Sequence, residues 1–259
     1  MLKFFEQFPE VVAVLSEKED GTMRLRDDGA NMENRNRFFE KAGIDSDRVV
    51  GAKLEQGVNA KIILNNKEKI INQTDALITK EKNIFLSVSV ADCIPVFFYE
   101  IEAKIIGIAH AGWRGIAGGL IENTIEKIIE SGGEAKNLKI ALGPGINQCH
   151  FEVGEEVAEK FKNYKEDIIK RENKYFIDLK GILRKQLSEL GVKPENIENN
   201  NQCTYESKNL FSYRRDKPET VEAMVAVIGF HITHNEYHPF VIAGIDPQSR
   251  VSPQEREIK

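Results

Sequence analysis

Two periods organise the apolar positions of this chain. Residues 84–90 alternate, with Ile84, Leu86, Val88 and Val90 on one side, the pattern of a half-buried strand. Residues 94–99 and 104–109 are unbroken runs of β-branched and aromatic side chains, which suits strands covered on both faces. Shorter runs at 11–15, 49–54, 60–64, 138–142 and 222–229 predict further strands. Helical spacing governs 115–131, where Ile116, Leu120, Ile121, Thr124, Ile125 and Ile128 share a face and Gly132-Gly133 follows as a stop. Residues 31–42 before Gly43, 155–163, and 178–190 before Gly191 predict three more helices. Strands outnumber helices and mostly follow one another, which points to an α+β sandwich of mixed sheets rather than a doubly wound fold. No repeat, low-complexity block or Pro/Gly/Ser linker interrupts the pattern, so one domain is expected over residues 1–230. Residues 231–259 are polar, hold three of the eight prolines and lack a sustained period, as a tail or peripheral appendage would.

Composition narrows the class of function. With 41% hydrophobic and 30% charged residues, the 259-residue chain has the make-up of a globular protein with a sizeable core. Its net charge is −5 and no Lys/Arg run stands clear of acidic neighbours, so it lacks the basic face a nucleic acid requires. Three scattered cysteines, Cys93, Cys149 and Cys203, argue against a disulfide framework and for a reducing compartment. Glu6, Pro9 and Glu10 interrupt the first apolar stretch before it reaches signal-peptide length, and no segment approaches the ~20 uncharged apolar residues of a membrane span. The expectation is a cytoplasmic protein acting on a small molecule, with neither nucleic acid nor membrane as partner and its oligomeric state open.

Reactive side chains gather at the ends of the apolar runs. Ala91-Asp92-Cys93-Ile94-Pro95 opens one, and the run at 104–109 leads into His110-Ala111-Gly112-Trp113-Arg114-Gly115. Strands of one sheet meeting at a common edge would put Cys93 beside His110. An adjacent imidazole raises the thiolate fraction of a cysteine, and the same two side chains suit zinc; a buried cysteine and a backbone-bonded histidine is the plainer alternative. In Gly143-Pro144-Gly145-Ile146-Asn147 the amides could meet an anion or a sugar hydroxyl, or the segment is only a tight turn. Phe211-Ser212-Tyr213-Arg214-Arg215-Asp216 offers a stacking ring and two guanidiniums for phosphate, or else a surface ion-pair cluster around Asp216. His231, His234 and His238 share the spacing of one helical face and could hold a metal, although Thr233, Asn235 and Pro239 oppose a helix there.

Together these strings resemble the YfiH family, also called the laccase-domain or multicopper polyphenol oxidase family. The matching segments, in the family's order between residues 31 and 229, are Gln73-Thr74-Asp75-Ala76-Leu77-Ile78-Thr79, Ser89-Val90-Ala91-Asp92-Cys93-Ile94-Pro95-Val96 and Ala109-His110-Ala111-Gly112-Trp113-Arg114-Gly115. Gly143-Pro144-Gly145-Ile146, Cys149-His150-Phe151-Glu152-Val153, Cys203-Thr204 and the segment from Phe211 to Asp216 follow. The resemblance implies a four-layer α-β-β-α sandwich and a zinc-associated site of two histidines and one cysteine. It also implies phosphorolysis of adenosine, inosine and methylthioadenosine, together with adenosine deamination. Cys93 matches the family cysteine and His110 its second histidine.

The first family histidine is missing. Leu54-Glu55-Gln56-Gly57 stands where the family has a Leu-x-His-Gly-like string, which makes Gln56 the third metal ligand, with Asn59 the other candidate in register. An amide oxygen is a harder and weaker zinc donor than imidazole. On chemical grounds Arg114, or the Arg214/Arg215 pair, would bind phosphate and Asp92 would orient His110; Gly143, Asn147 and Tyr213 would serve the nucleoside. Two rival readings keep their place: a metal-independent cysteine hydrolase using Cys93 and His110, and an inactive binding paralogue, which the loss at Gln56 motivates. Copper oxidation fits less well, since multicopper sites need several histidines and the core offers only His110 and His150.

Overall fold

The computed structural model describes residues 1–25 and 29–231. The apolar runs build two six-stranded sheets. The first orders β1 (Leu2–Phe4), β2 (Val11–Leu15), β15 (Met224–Phe230), β7 (Phe85–Val90), β3 (Val49–Lys53) and β5 (Ile70–Asn72). The second orders β14 (Ile197–Asn199), β10 (Leu138–Leu142), β8 (Ile94–Glu100), β9 (Ile105–Ala111), β6 (Ala76–Thr79) and β4 (Ala60–Ile62). Both are mixed: β3 runs parallel to β5 and β7, β4 to β6, and β10 to β14, while the other pairs are antiparallel. A small third sheet joins β11 (Glu152–Val153), β13 (Lys174–Ile177) and β12 (Ile168–Arg171).

Alternation along each strand decides the layers. Phe97 and Tyr99 of β8 enter the space between the large sheets, where they meet Leu86 and Val88 of β7 and Ala226 and Ile228 of β15. Ile94, Val96 and Phe98 of the same strand lie on the opposite face, beneath α2 (Trp113–Gly118), α3 (Leu120–Glu130) and α5 (Leu179–Glu189). On the far side of the first sheet Val12, Val14, Phe85 and Val227 pack against Phe38 and Phe39 of α1 (Gly29–Lys41). The order is helix, sheet, sheet, helices, a four-layer α-β-β-α sandwich.

Three expectations need correction. Residues 84–90 are not half-buried: every residue of β7 is covered. Its polar positions face α1, where Arg35 Nη2 donates to Ser87 Oγ at 3.0 Å and Ser89 Oγ donates to the Met23 carbonyl at 3.1 Å. The helix expected at 115–131 is two, α2 and α3, split at Gly119, whose φ of 94° ends one helix and starts the other. The helix expected at 155–163 is a single turn, α4 (Glu155–Ala158), followed by a 3₁₀ stretch that departs from helical geometry at Phe161 and Tyr164. Phe230 closes β15 with its ring 6.1 Å from that of Tyr99, and the His231 amide donates to the Glu10 carbonyl at 2.8 Å. His234 and His238 lie outside the described residues. Among those described, no helix is long and apolar enough to cross a membrane.

Candidate active site

Sheet register brings the two key residues together. In the antiparallel β8/β9 pair Ile94 lies opposite Ala111 and Pro95 opposite His110, so Cys93 and His110 share one end of the sheet. Gly112 leaves room between them: a Cβ there would sit 3.0 Å from Cys93 Sγ and 3.6 Å from His110 Cε1. Cys93 is half-buried and His110 is 5% exposed.

The neighbouring strand supplies a third member. β6 pairs with β9 so that Ala76 lies opposite Ala109, which sets Asp75 beside His110. His110 Nδ1 lies 3.0 Å from Asp75 Oδ1, and the His110 amide donates to the Asp75 carbonyl at 2.8 Å. The Asp75 carboxylate also accepts from the amides of Gln56 at 3.0 Å and Gly57 at 2.8 Å. Burial pushes this carboxyl up, but the His110 and Gly57 hydrogen bonds outweigh it and hold the pKa below the ordinary value. Burial likewise pulls the His110 imidazole down. The charge of Cys93 and the bond to Asp75 win, and its pKa rises to about 10. An imidazole so placed keeps its proton at neutral pH.

Asp75 therefore takes the orienting position expected of Asp92. The Asp92 carboxylate accepts instead from Thr204 Oγ1 at 2.6 Å and from the Arg214 amide at 2.7 Å, and these bonds hold the residue at a left-handed φ of 76°. Both acids head apolar runs in the sequence; only the β6/β9 register decides which one faces His110.

Gln56 sits next to this chain, its backbone amide on Asp75. Its φ is 59°, and its side-chain oxygen accepts from Arg114 Nη1 at 3.2 Å, while the Arg114 guanidinium lies 4.3 Å from the centre of the Trp113 ring. The Asn59 side-chain amide donates to the Gln73 carbonyl at 3.2 Å. A catalytic zinc takes three protein ligands. Here one imidazole nitrogen is turned to Asp75 and the amide oxygen is held by a guanidinium, which leaves Cys93 and one nitrogen of His110. These residues do not fit a three-ligand zinc centre.

The comparisons with known proteins agree with this architecture. A family model described as multi-copper polyphenol oxidoreductase laccase matches residues 18–231. The chain belongs to that family. A relative of this laccase-domain chain in Deinococcus radiodurans, named purine nucleoside phosphorylase, is 34% identical over 199 residues, 76% of each protein. The protein named adenosine deaminase RL5, from an unknown prokaryotic organism, is 32% identical over 188 residues, 67% of this chain and 72% of that one. Among solved structures, the Bacillus licheniformis hypothetical protein YfiH superposes with a TM-score of 0.82 at 26% identity, covering 87% of this chain and 95% of that one.

Several other residues singled out in the laccase-domain motifs turn out to build the scaffold. The Gly143 amide donates to the Pro95 carbonyl at 2.9 Å, and a Cβ there would meet Pro95 Cγ at 2.6 Å, so this glycine permits packing and offers no amide to a ligand. Asn147 donates its side-chain amide to the Asn201 carbonyl at 2.9 Å. Arg214 Nη1 donates to the Glu152 carbonyl at 2.9 Å. Arg215 gathers the carbonyls of Thr204 (2.8 Å), Ser207 (3.0 Å) and Leu210 (2.7 Å) and pairs with Asp216, whose carboxyl it drives down to about 2. Arg214 Nη1 and the Arg215 guanidinium are thus tied to backbone carbonyls and to Asp216, which holds this segment in place. Arg114 and Tyr213 remain exposed.

A second group was missed as a group. Among the described residues, the set of three thiol, imidazole or carboxylate donors that converges closely enough to hold a metal is Cys149, His150 and Cys203, whose ligand atoms lie within 4.8 Å of one another. The adjacent Cys149-His150 is visible in the sequence. What brings Cys203 to it is a parallel bridge between Gly145 and Cys203, which no local pattern announces.

Proposed function

We propose that the Cys93–His110–Asp75 chain, with Arg114 beside it, is the active site of a purine nucleoside phosphorylase that cleaves adenosine, inosine and methylthioadenosine with phosphate. The observation that carries this reading is the buried His110 imidazole, 3.0 Å from the Asp75 carboxylate and beside Cys93 at one sheet end, next to an exposed guanidinium. The names of the Deinococcus radiodurans relative and the RL5 protein support purine nucleosides as the substrate class.

In phosphorolysis a phosphate oxygen bonds to the anomeric carbon of the ribose as the bond to the purine nitrogen breaks, and the base leaves with the electron pair. Arg114 pairs with the phosphate and offsets its charge. The His110 imidazolium gives its proton to the departing purine, and Asp75 fixes the ring in the donating orientation. Tyr213, exposed on α6 (Tyr213–Asp216), whose Arg214 amide is anchored to Asp92 next to Cys93, offers a ring face to the base.

The hydrogen-bond series thiol, imidazole, carboxylate favours a second reading. It is also the arrangement of nucleophile, base and orienting group in a cysteine hydrolase, which would acylate Cys93 from an amide. Incubation of the chain with the three nucleosides, with and without phosphate, separates the readings by product. Free base and the matching sugar 1-phosphate (ribose 1-phosphate, or 5-methylthioribose 1-phosphate from methylthioadenosine), formed only with phosphate, is the expected result. Ammonia release without phosphate would mean deamination. No turnover of any nucleoside would remove the phosphorylase assignment and leave the hydrolase or an inactive binding protein.

A further inference from the structure

We propose that Cys149, His150, Cys203 and Glu206 form a second metal site, distinct from Cys93 and His110, that binds one zinc ion in tetrahedral geometry.

The spacing of the three donors Cys149, His150 and Cys203, with Glu206 beside them, is the main argument. Cys149 Sγ lies 3.9 Å from Cys203 Sγ and 3.1 Å from His150 Nδ1, and Cys203 Sγ lies 3.8 Å from the same nitrogen. Glu206 Oε1 is 4.0 Å from Cys149 Sγ and 3.8 Å from His150 Nδ1. Tetrahedral zinc with ordinary bond lengths separates two sulfurs by about 3.8 Å, and sulfur from nitrogen or oxygen by about 3.6 Å. The two sulfurs and the imidazole nitrogen already surround a point at bonding distance from each, and the exposed Glu206 carboxylate, beside Cys149 and His150, would complete the shell by a side-chain rotation. A disulfide explains less: the sulfurs are far beyond the S–S bond length of about 2.05 Å, and a disulfide would make no use of the imidazole and carboxylate turned to the same place.

The surroundings fit a bound cation. The Asn147 amide donates to Cys203 Sγ at 3.4 Å, and the His150 ring is fixed by stacking on Tyr205 at 4.1 Å between centres. Lys180, held on the Gln202 carbonyl at 3.3 Å, is close enough to Cys203 for their charges to interact. Two thiolates and a carboxylate carry three negative charges, which a divalent ion and Lys180 neutralise together. Cys203 is buried and Cys149 exposed, so the ion has an open side from which to enter.

Such a site would fasten two loops. One is the turn from Asn147 to His150; the other carries Thr204, which holds Asp92 beside Cys93. With Glu206 turned in as the fourth ligand it would have the closed form of a structural zinc centre.

The test uses the full-length chain, reduced and stripped of metal, titrated with zinc against a chromogenic chelator and with cobalt by absorption spectroscopy. The Cys93→Ala variant is expected to keep one zinc equivalent and the thiolate-to-cobalt charge-transfer band. Adding Cys149→Ser to it should weaken zinc by roughly tenfold or more and diminish the band, and Glu206→Gln should weaken zinc as well. Cys149 is exposed, so its replacement tests the site without opening the core; circular dichroism would verify the fold. Unchanged zinc affinity on adding Cys149→Ser, loss of all zinc in Cys93→Ala alone, or a Cys149–Cys203 disulfide formed in the presence of zinc would each overturn the proposal.

Discussion

An imidazole between a thiol and a carboxylate holds its proton well beyond the pH at which a free histidine loses it. For His110 the folded value of about 10 lies above the ordinary 6.5. The sign of the linkage follows: its contribution to folding stability is complete below about 6.5 and is lost as pH rises through about 10. His110→Gln should flatten that part of the stability curve, as chemical denaturation across the range would reveal. Asp75→Asn should lower kcat by about 10²- to 10⁴-fold and bring the His110 titration down, followed by NMR of the ring. A titration and a kcat both left in place would remove Asp75 from the mechanism. At Gln56 the prediction concerns metal: Gln56→His, made in the Cys149→Ser background so that one site is read, should raise zinc affinity at Cys93 and His110 by roughly tenfold or more. Equal affinities by chelator competition would place residue 56 outside the donor set. At this scale the sequence supplied Cys93, His110, Arg114 and Gln56 but not the partner of His110. Asp75 and Asp92 look alike in the chain, and only pairing between strands tells them apart.

The β8/β9 pair and the turn carrying Gln56 and Gly57 are the elements that set the site. Gly115, in α2, lets that turn approach, since a Cβ there would sit 2.9 Å from the Gly57 carbonyl oxygen and 3.1 Å from Leu120 Cδ2. Gly115→Ala should displace the turn, loosen its amides from Asp75 and lower activity, at about 1–3 kcal/mol in stability. Thermal unfolding with a parallel assay measures both, and wild-type values in each would show that the turn has slack. The buried strands β8 and β9 were legible because unbroken β-branched and aromatic runs have few alternatives. The short strands β5, β6 and β14 were not: three or four residues carry too little periodicity, and they exist through their neighbours. The split between α2 and α3 was hidden because Ile116 and Leu120 keep helical spacing across Gly119.

Across the whole molecule, the α+β class could be read from the dominance of consecutive strands, whereas the four layers came from family resemblance. The burial alternation of β8 and β15 supplies their physical basis. Because Phe230 is 5% exposed and packs in the core, and the His231 amide is bonded to Glu10, a truncation that tests the tail is made after His231. Truncation there is expected to leave nucleoside turnover within a few-fold of the full chain; its loss without unfolding would mean that residues beyond 231 reach the site. The most direct test of the central claim is the rate of phosphate-dependent ribose 1-phosphate release from inosine by the wild-type chain, Cys93→Ala and His110→Ala, with circular dichroism verifying each fold. Release by the wild type and its loss in both folded variants are expected; undiminished release in either one would remove Cys93 and His110 from the active site.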